Sequence, residues 1–266
     1  MFRVLRIILP VLLFAGLIWF WEWAVAAWQI KKFVLPAPSA IWEALAKEAA
    51  DLSAGKSGTL FDSAWSTLKT TATAFSLAAI SGIALAALFA SSRLVEAMLS
   101  PYAVILQVTP VVAIAPLVLV WVGLDNAWLA VLILAWIVAF FPVLANATAG
   151  LKAADPNLRD LFRLYRANAW QTFRRLLIPS SLPYLLAGLK TAGGLALIGA
   201  VVAEFAAASG NSGGLAWRIL EAGNRLQIAK MFAALILLAV MGLLIYALLS
   251  LLEWLLLRRW HGEQAR

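Results

Sequence analysis

The chain contains, from Ile228 to Leu257, the sequence IAKMFAALILLAVMGLLIYALLSLLEWLLL, in which only Lys230 and Glu253 are charged. A helix needs about 20 apolar residues to cross the hydrocarbon core of a bilayer, and this run exceeds that length. Five further runs of similar length are bounded by charge, proline or glycine: Ile7 to Trp28, Trp65 to Ala90, Met98 to Val122, Trp128 to Gly150 and Leu182 to Phe205. The sequence therefore predicts an all-α polytopic membrane protein with about six transmembrane helices.

Composition supports this fold class and excludes several kinds of chemistry. Hydrophobic residues make up 64% of the chain and charged residues 13%, which is too apolar for a soluble domain. The absence of cysteine excludes disulfides and thiolate metal sites, and the one histidine, His261, lies in the charged tail. Gly55-Lys56-Ser57 lacks the upstream glycine of a phosphate-binding loop. We therefore expect no catalytic residue, cofactor or metal, and we expect any ATP hydrolysis to occur in a partner.

The distribution of the basic residues along the chain fits a membrane topology better than a nucleic-acid-binding surface, although the net charge is +8. With the amino terminus inside, seven of the 21 lysines and arginines fall outside: Lys31, Lys32, Lys47, Lys56, Arg218, Arg225 and Lys230. Lys69 and Lys190 lie within predicted spans, and the other twelve fall inside: Arg3, Arg6, Arg93, Lys152, Arg159, Arg163, Arg166, Arg174, Arg175, Arg258, Arg259 and Arg266. This excess predicts that both termini face the cytoplasm.

The sequence predicts one membrane domain with a distinct amino-terminal part. Residues 1–62 hold the first span and a small amphipathic helix, outside the membrane, that begins near Pro38-Ser39 and ends near Glu48-Ala49-Ala50. Residues 63–257 form a five-span core that includes a cytoplasmic loop over residues 152–180. The outer helix either lies on the membrane surface or contacts another protein.

The third predicted span contains Pro101, Pro110 and Pro116, too many for one straight helix. We expect a bent or broken element, and either a translocation path lined by Thr109-Pro110 and Ala115-Pro116 or a kinked packing helix would account for it. Other tentative path residues are Asn146, Thr191 and Glu204, because polar groups inside spans are costly. A polar turn, Ser209 to Gly214, follows Glu204, and Lys190 is expected to extend its ammonium group towards the membrane surface.

The cytoplasmic segment from Lys152 to Ser180 reads KAADPNLRDLFRLYRANAWQTFRRLLIPS. Asp155-Pro156 is a helix start, with an N-cap acceptor and proline at the first helical position. One apolar face follows, and a second short helix is expected from Trp170 to Leu177, ending at Ile178-Pro179. The residues of that face are Leu158, Leu161, Phe162, Tyr165 and Ala169. Such a hairpin either docks in a groove on a partner protein or lies on anionic lipid headgroups.

This segment resembles the coupling loop of binding-protein-dependent ABC importer permeases. Asp160-Leu161-Phe162 stands at the place of Glu-Ala-Ala, Arg166 at the place of the turn glycine, and Leu176-Leu177-Ile178-Pro179 at the place of the closing Ile-x-Leu-Pro. Four other segments look like the nitrate, sulfonate and taurine branch of that family: Leu35 to Trp42, Thr109 to Leu117, Phe141 to Asn146 and Val201 to Glu204.

The resemblance implies a type I importer permease fold, a bacterial inner-membrane location and three kinds of partner. These are a second permease copy in a homodimer, cytoplasmic ATP-binding subunits and a periplasmic solute-binding protein; membrane lipid surrounds the assembly and nucleic acid is not expected. It also implies that ATPase coupling is carried by Asp160, Leu161, Phe162, Arg163, Tyr165, Arg166 and Pro179.

The expected function is to form the translocation path of an ATP-driven importer. The family branch suggests a solute such as nitrate, a sulfonate, taurine, bicarbonate or a pyrimidine-like compound. The alternative is an ion-coupled secondary transporter, which would need no nucleotide-binding partner and usually carries acids or histidines deep in its helical bundle.

Overall fold

The computed structural model describes residues 2–207 and 213–258, and the elements in those ranges are helical. Most of the polar turn after Glu204 and the tail that contains His261 lie outside the described residues. The α-helices are α1 (Phe2–Ala27), α2 (Pro38–Ser53), α3 (Leu60–Ser91), α4 (Arg93–Val108), α5 (Val111–Val122), α6 (Ala127–Lys152), α7 (Pro156–Leu164), α8 (Ala169–Thr172), α9 (Ile178–Ala206), α10 (Leu215–Asn224) and α11 (Ile228–Leu257).

The structure confirms the predicted class of fold. Five helical segments are long and apolar enough to cross a membrane: Ile8–Ala27, Leu60–Ser91, Ala127–Lys152, Ala169–Ala206 and Ile228–Leu257. The third predicted span forms two helices, α4 and α5, which meet at an angle of 100°. The predicted bend or break in this segment is therefore confirmed, and the two helices together supply the sixth candidate span.

The break between α4 and α5 lies at Thr109 and Pro110. Pro110 has no amide hydrogen to donate into the helix, and its backbone at φ −70° and ψ 105° is extended. The Thr109 hydroxyl donates to the Ile105 carbonyl oxygen at 2.7 Å. Pro101 and Pro116, in contrast, stay inside α4 and α5. Only the middle proline of the three ends a helix.

The chain divides into two compact units, and α3 and α11 each begin in one and end in the other. One unit comprises Met1–Ser66 and Gly213–Ala239. The predicted amphipathic helix is present there as α2, and the Glu22 carboxylate of α1 accepts hydrogen bonds from the Ser39 amide and hydroxyl at 3.0 and 2.8 Å. This places an acidic group at the amino end of α2, where the orphan amides need acceptors.

Two more carboxylates form ion pairs within this unit. Glu48 is buried, accepts a hydrogen bond from the Leu60 amide at 2.8 Å and pairs with Lys230 at 2.5 Å, so it joins α2, α3 and α11. Glu221 on α10 pairs with Arg218 at 2.7 Å, and that hydrogen-bonded guanidinium holds the pKa of the Glu221 carboxyl below its ordinary value. The sequence did not predict either role.

The other unit comprises Thr67–Ser212 and Val240–Arg266, and its largest helix contact joins α6 to α9. Glycines bring the two backbones together. A Cβ atom added at Gly150 would lie 2.8 Å from the Tyr184 Cβ atom, one at Gly188 would lie 2.6 Å from the Asn146 Cβ atom, and one at Gly199 would lie 2.9 Å from the Ala135 Cα atom. Small residues at such crossings allow the close van der Waals contact that associates helices in lipid.

Helix α11 packs on α9 in the same unit. A Cβ atom added at Gly193 would clash with Leu249 at 2.3 Å, and one added at Gly242 would lie 3.3 Å from Leu197. The Lys190 ammonium group pairs with the Glu253 carboxylate instead of only extending to the membrane surface, so the expectation for Lys190 was incomplete. The rest of α11 exposes leucines, which suits contact with lipid acyl chains.

We predict that Gly188→Ala destabilises the protein, because the new Cβ atom needs space that Asn146 occupies. Overpacking of this kind costs roughly 1–3 kcal/mol, so the melting temperature of the purified chain in detergent should fall. The matched control is Gly194→Ala on the same helix, where nothing lies within 4 Å of the added atom. Equal melting temperatures for the two variants would contradict the close packing of α6 and α9.

Candidate functional site

The predicted cytoplasmic hairpin begins as expected. Asp155 precedes α7 and its carboxylate accepts a hydrogen bond from the Asn157 amide at 2.8 Å, while Pro156 occupies the first turn. The helix is shorter than the apolar pattern suggested, because it ends at Leu164. Ala169 therefore does not share its face, and the prediction for that residue was wrong. Ala169 begins α8 instead.

A left-handed residue turns the chain between the two limbs of the hairpin. Arg166 has φ +51°, its amide donates to the Arg163 carbonyl oxygen at 2.9 Å, and the Ala167 amide donates to the Phe162 carbonyl oxygen at 2.9 Å. This pair of bonds is the Schellman motif, which usually places glycine at the left-handed position. The turn is thus formed with arginine at the position where the coupling-loop pattern of the resembled family has glycine.

The second limb is one continuous helical path into the membrane core. Asn168 and Gln171 form a capping box, with bonds of 2.8 and 2.9 Å. After α8, a π-helical turn spans Phe173–Leu177 and leads directly into α9. The expected stop at Ile178-Pro179 was therefore wrong. Pro179 lies in the first turn of α9, where a missing amide hydrogen is tolerated.

Apolar side chains at the tip of the hairpin lie open to the surroundings. None of the residues of α7 is buried. Leu164 is 81% exposed and Tyr165 79% exposed, and Trp170 on the second limb is 65% exposed. Leu161, Phe162 and Tyr165 line one side of a cleft of about 370 Å³, and Gln171 and Arg175 line the other. Exposed aromatic and leucine side chains on a short polar helix are typical of a protein-docking surface.

The charged candidates divide between the tip and the base of the hairpin. Asp160 and Arg163 form an exposed ion pair at 3.1 Å on the tip. At the base, Arg159 donates from Nη2 to the carbonyl oxygens of Leu151 at 3.0 Å and Lys152 at 3.3 Å, which closes the carboxyl end of α6. From the sequence, Arg159 was predicted only as one of the basic residues on the cytoplasmic side. Pro179 does not line the tip cleft.

The tentative path residues are not gathered into one site. The half-buried Thr109 and the exposed Pro110 form the break described above. Asn146 is half-buried and donates from its amide nitrogen to the Pro142 carbonyl oxygen at 2.8 Å, and the exposed Thr191 donates to the Ala187 carbonyl oxygen at 3.1 Å. Glu204 is only 2% exposed and accepts a hydrogen bond from the Thr67 hydroxyl at 2.7 Å. Of these hydrogen bonds, the one to Glu204 joins two different helices, α3 and α9.

Comparison with known proteins assigns most of the chain to one family. Residues 78–260 match the family described as binding-protein-dependent transport system inner membrane component. The chain is 33% identical over 254 residues to a riboflavin transport system permease protein of Chloroflexus aurantiacus, with 94% of this chain and 89% of that protein covered.

Two other relatives are named for different solutes. A formylaminopyrimidine transport permease protein of Halalkalibacterium halodurans is 32% identical, with 96% of each chain covered. A nitrate import permease protein of Synechocystis is 30% identical, with 71% of this chain and 67% of that protein covered.

Solved structures agree with the fold. An amino acid ABC transporter chain superposes with a TM-score of 0.62 at 20% identity, covering 73% of this chain and 92% of that chain. A chain of the MetNI methionine ABC transporter in an inward-facing conformation gives 0.61 at 20% identity, covering 73% and 94%. At this identity the likeness supports the fold alone.

We predict that Arg166→Gly stabilises the hairpin turn, because glycine adopts φ +51° without a Cβ clash. The left-handed conformation costs an L-residue about 1 kcal/mol or more, so amide hydrogen exchange in the turn should slow about fivefold. Arg166→Ala removes the charge but keeps the Cβ atom and should not slow exchange. Faster exchange in Arg166→Gly would show that the arginine side chain, and not the backbone, fixes the turn.

Proposed function

The chain belongs to the family of binding-protein-dependent transport system inner membrane components, and on that premise we propose that it forms the translocation path of an ATP-driven importer. The sequence resemblance had indicated this family and, within it, the ABC importer permeases of the nitrate and sulfonate branch. The protein is a multi-pass membrane protein of ABC transporter type. In our proposal it hydrolyses no ATP itself, and the hydrolysis takes place in cytoplasmic partner subunits.

The observation that carries the proposal is the exposed apolar tip of the α7 hairpin. A helix that offers leucine and tyrosine side chains to its surroundings, and buries none of its residues, needs a partner to cover it. We propose that Leu161, Phe162 and Tyr165 anchor this helix in a groove of an ATP-binding subunit, while Asp160, Arg163 and Arg166 set its register through charge. Pro179 lies where the second limb enters α9, and we propose that it belongs to the same coupling element.

Motion of the hairpin would reach the membrane through both of its ends. The first limb is tied to α6 by Arg159, and the second continues into α9 through the π-helical turn. Closure of two ATP-binding subunits would draw the hairpins of two permease copies together and rotate these helices as rigid bodies. ATP hydrolysis would then return the path to its inward-open state.

The same proposal includes the class of solute and the residues that line the translocation path. The relatives named above for nitrate, formylaminopyrimidine and riboflavin support a small solute, and the branch also suggests sulfonates, taurine or bicarbonate. Thr109, Pro110, Asn146, Thr191 and Glu204 are the proposed path residues. A periplasmic binding protein would deliver the solute to a homodimer of this chain in the bacterial inner membrane, with residues 1–62 preceding a five-span core at 63–257.

Tyr165→Ala and Phe162→Ala should weaken association with the ATP-binding subunit by more than about tenfold, because buried aromatic anchors dominate such contacts. The measurement is recovery of ATPase activity with the tagged chain purified in detergent. Trp121→Ala, which removes an aromatic residue that is 75% exposed on α5, is the control and should leave recovery unchanged. Full recovery and solute uptake with both hairpin variants would refute docking through this tip, and uptake driven by an ion gradient alone would indicate a secondary transporter.

The proposed orientation can be tested because the chain has no cysteine of its own. A membrane-impermeant maleimide added to intact cells should label Ser53→Cys, at the end of α2, and should label Arg174→Cys only after the inner membrane is permeabilised. Both positions are exposed. The reverse pattern of labelling would place the hairpin outside and overturn the assignment of both termini to the cytoplasm.

A further inference from the structure

A large cavity lies beside the base of the hairpin, within the unit that contains α6 and α9. Its volume is about 990 Å³, and residues of α3, α4, α6 and α7 and the π-helical turn line it. The α4 residues among them recur at helical spacing from Arg93 to Ile105, so a single stripe of α4 faces the cavity. That stripe is charged at its amino end and apolar at its carboxyl end.

The charged end carries an excess of positive charge. Arg93, Lys152 and Arg159 line it together with one acid, Glu96. Lys152 pairs with Glu96 at 2.5 Å, so these two charges compensate each other. The guanidinium groups of Arg93 and Arg159 remain, which leaves two positive charges without an acidic partner in the cavity.

Neither guanidinium is satisfied by protein groups alone. Within the described ranges, the exposed Arg93 side chain has no hydrogen bond or ion pair. Arg159 uses Nη2 to close the end of α6, while its Nε is buried without a hydrogen-bond partner. Buried polar groups without partners are rare, so the Arg159 guanidinium has a donor that the described residues of the protein do not use.

The apolar end of the cavity is open along the carboxyl-terminal half of α4. Val104 is 45% exposed and Ile105 58% exposed, and Pro101 lies between them and the charged end. With a rise of about 1.5 Å per residue, the stripe from Arg93 to Ile105 extends about 18 Å. A molecule that fills this surface must carry a negative charge at one end and a long apolar chain at the other.

We propose that this cavity binds an anionic phospholipid, with its phosphate between Arg93 and Arg159 and an acyl chain along Val104 and Ile105. Guanidinium groups form charge-assisted hydrogen bonds with phosphate oxygens, and basic pockets between transmembrane helices recognise anionic headgroups in this way. A small soluble anion would leave the apolar stripe uncovered. The lipid would also contact Arg159, the residue that anchors α7, and so would support the base of the hairpin.

The test uses the full chain in detergent and measures binding of phosphatidylglycerol by native mass spectrometry, with phosphatidylcholine as the neutral comparison. We expect retention of phosphatidylglycerol over phosphatidylcholine, and at least tenfold weaker retention in Arg93→Gln. This variant is informative because Arg93 makes no contact that the fold needs. Arg159→Gln should have the same effect and should also lower the melting temperature. Arg174→Gln, an equal loss of charge outside the cavity, should bind as the unmodified chain does.

Three results would overturn the proposal. Equal retention of the two lipids, or unchanged retention in Arg93→Gln, would show that the cavity does not recognise the charged headgroup. Displacement of phosphatidylglycerol by millimolar inorganic phosphate would assign the arginines to a soluble anion. Loss of the lipid when the ATP-binding partner copurifies would make this surface a protein interface. None of these results bears on whether the tip of the hairpin docks.

Discussion

The backbone contact between α6 and α9 is the constraint on which the proposed site depends. At Gly150, Gly188 and Gly199 the two helices approach too closely for an added Cβ atom. The hairpin is the segment that joins these same two helices, so both of its ends are fixed to one packed pair. In lipid, where apolar burial does not favour helix association, such close van der Waals contact is a main source of stability. A rigid pair is also what could carry a displacement of the hairpin across the membrane.

The hairpin differs in character between its base and its tip. At the base, Arg159 closes the end of α6 and the π-helical turn continues into α9, so backbone polar groups are satisfied within the protein. At the tip, Leu164 and Tyr165 are open, and the turn relies on Arg166 in a conformation that glycine adopts more readily. Tight anchoring below an uncovered apolar surface suits an element that receives force from one partner. The strained turn is compatible with the same role, because a docked partner would hold it in place.

Sequence patterns predicted the spans well, because about 20 apolar residues in lipid leave helix as the available structure. They also predicted a bend or break in the third span, which contains three prolines, and the start of α7 at Asp155, because proline and an N-cap act locally. They failed where tertiary contact decides: Ala169 matched the apolar period but lies beyond a left-handed turn, and Pro179 marked a stop that the π-helical turn bypasses. The partners of Glu48 and Glu204 were also missed, since residues 12 and 137 positions away cannot be paired from one sequence.

Several polar groups inside the candidate spans have structural partners, and this bears on solute choice. Glu204 accepts a hydrogen bond from Thr67, Lys190 pairs with Glu253, and Asn146 bonds to the Pro142 carbonyl oxygen. A charge committed to a helix contact is a poor ligand for a passing solute, because binding would have to break a contact formed in a medium of low polarity. Relatives named for solutes as different as nitrate and riboflavin fit a scaffold of this kind. In the proposed importer, a path whose charges are committed in this way would admit many small molecules, and discrimination among them would fall to the proposed solute-binding protein.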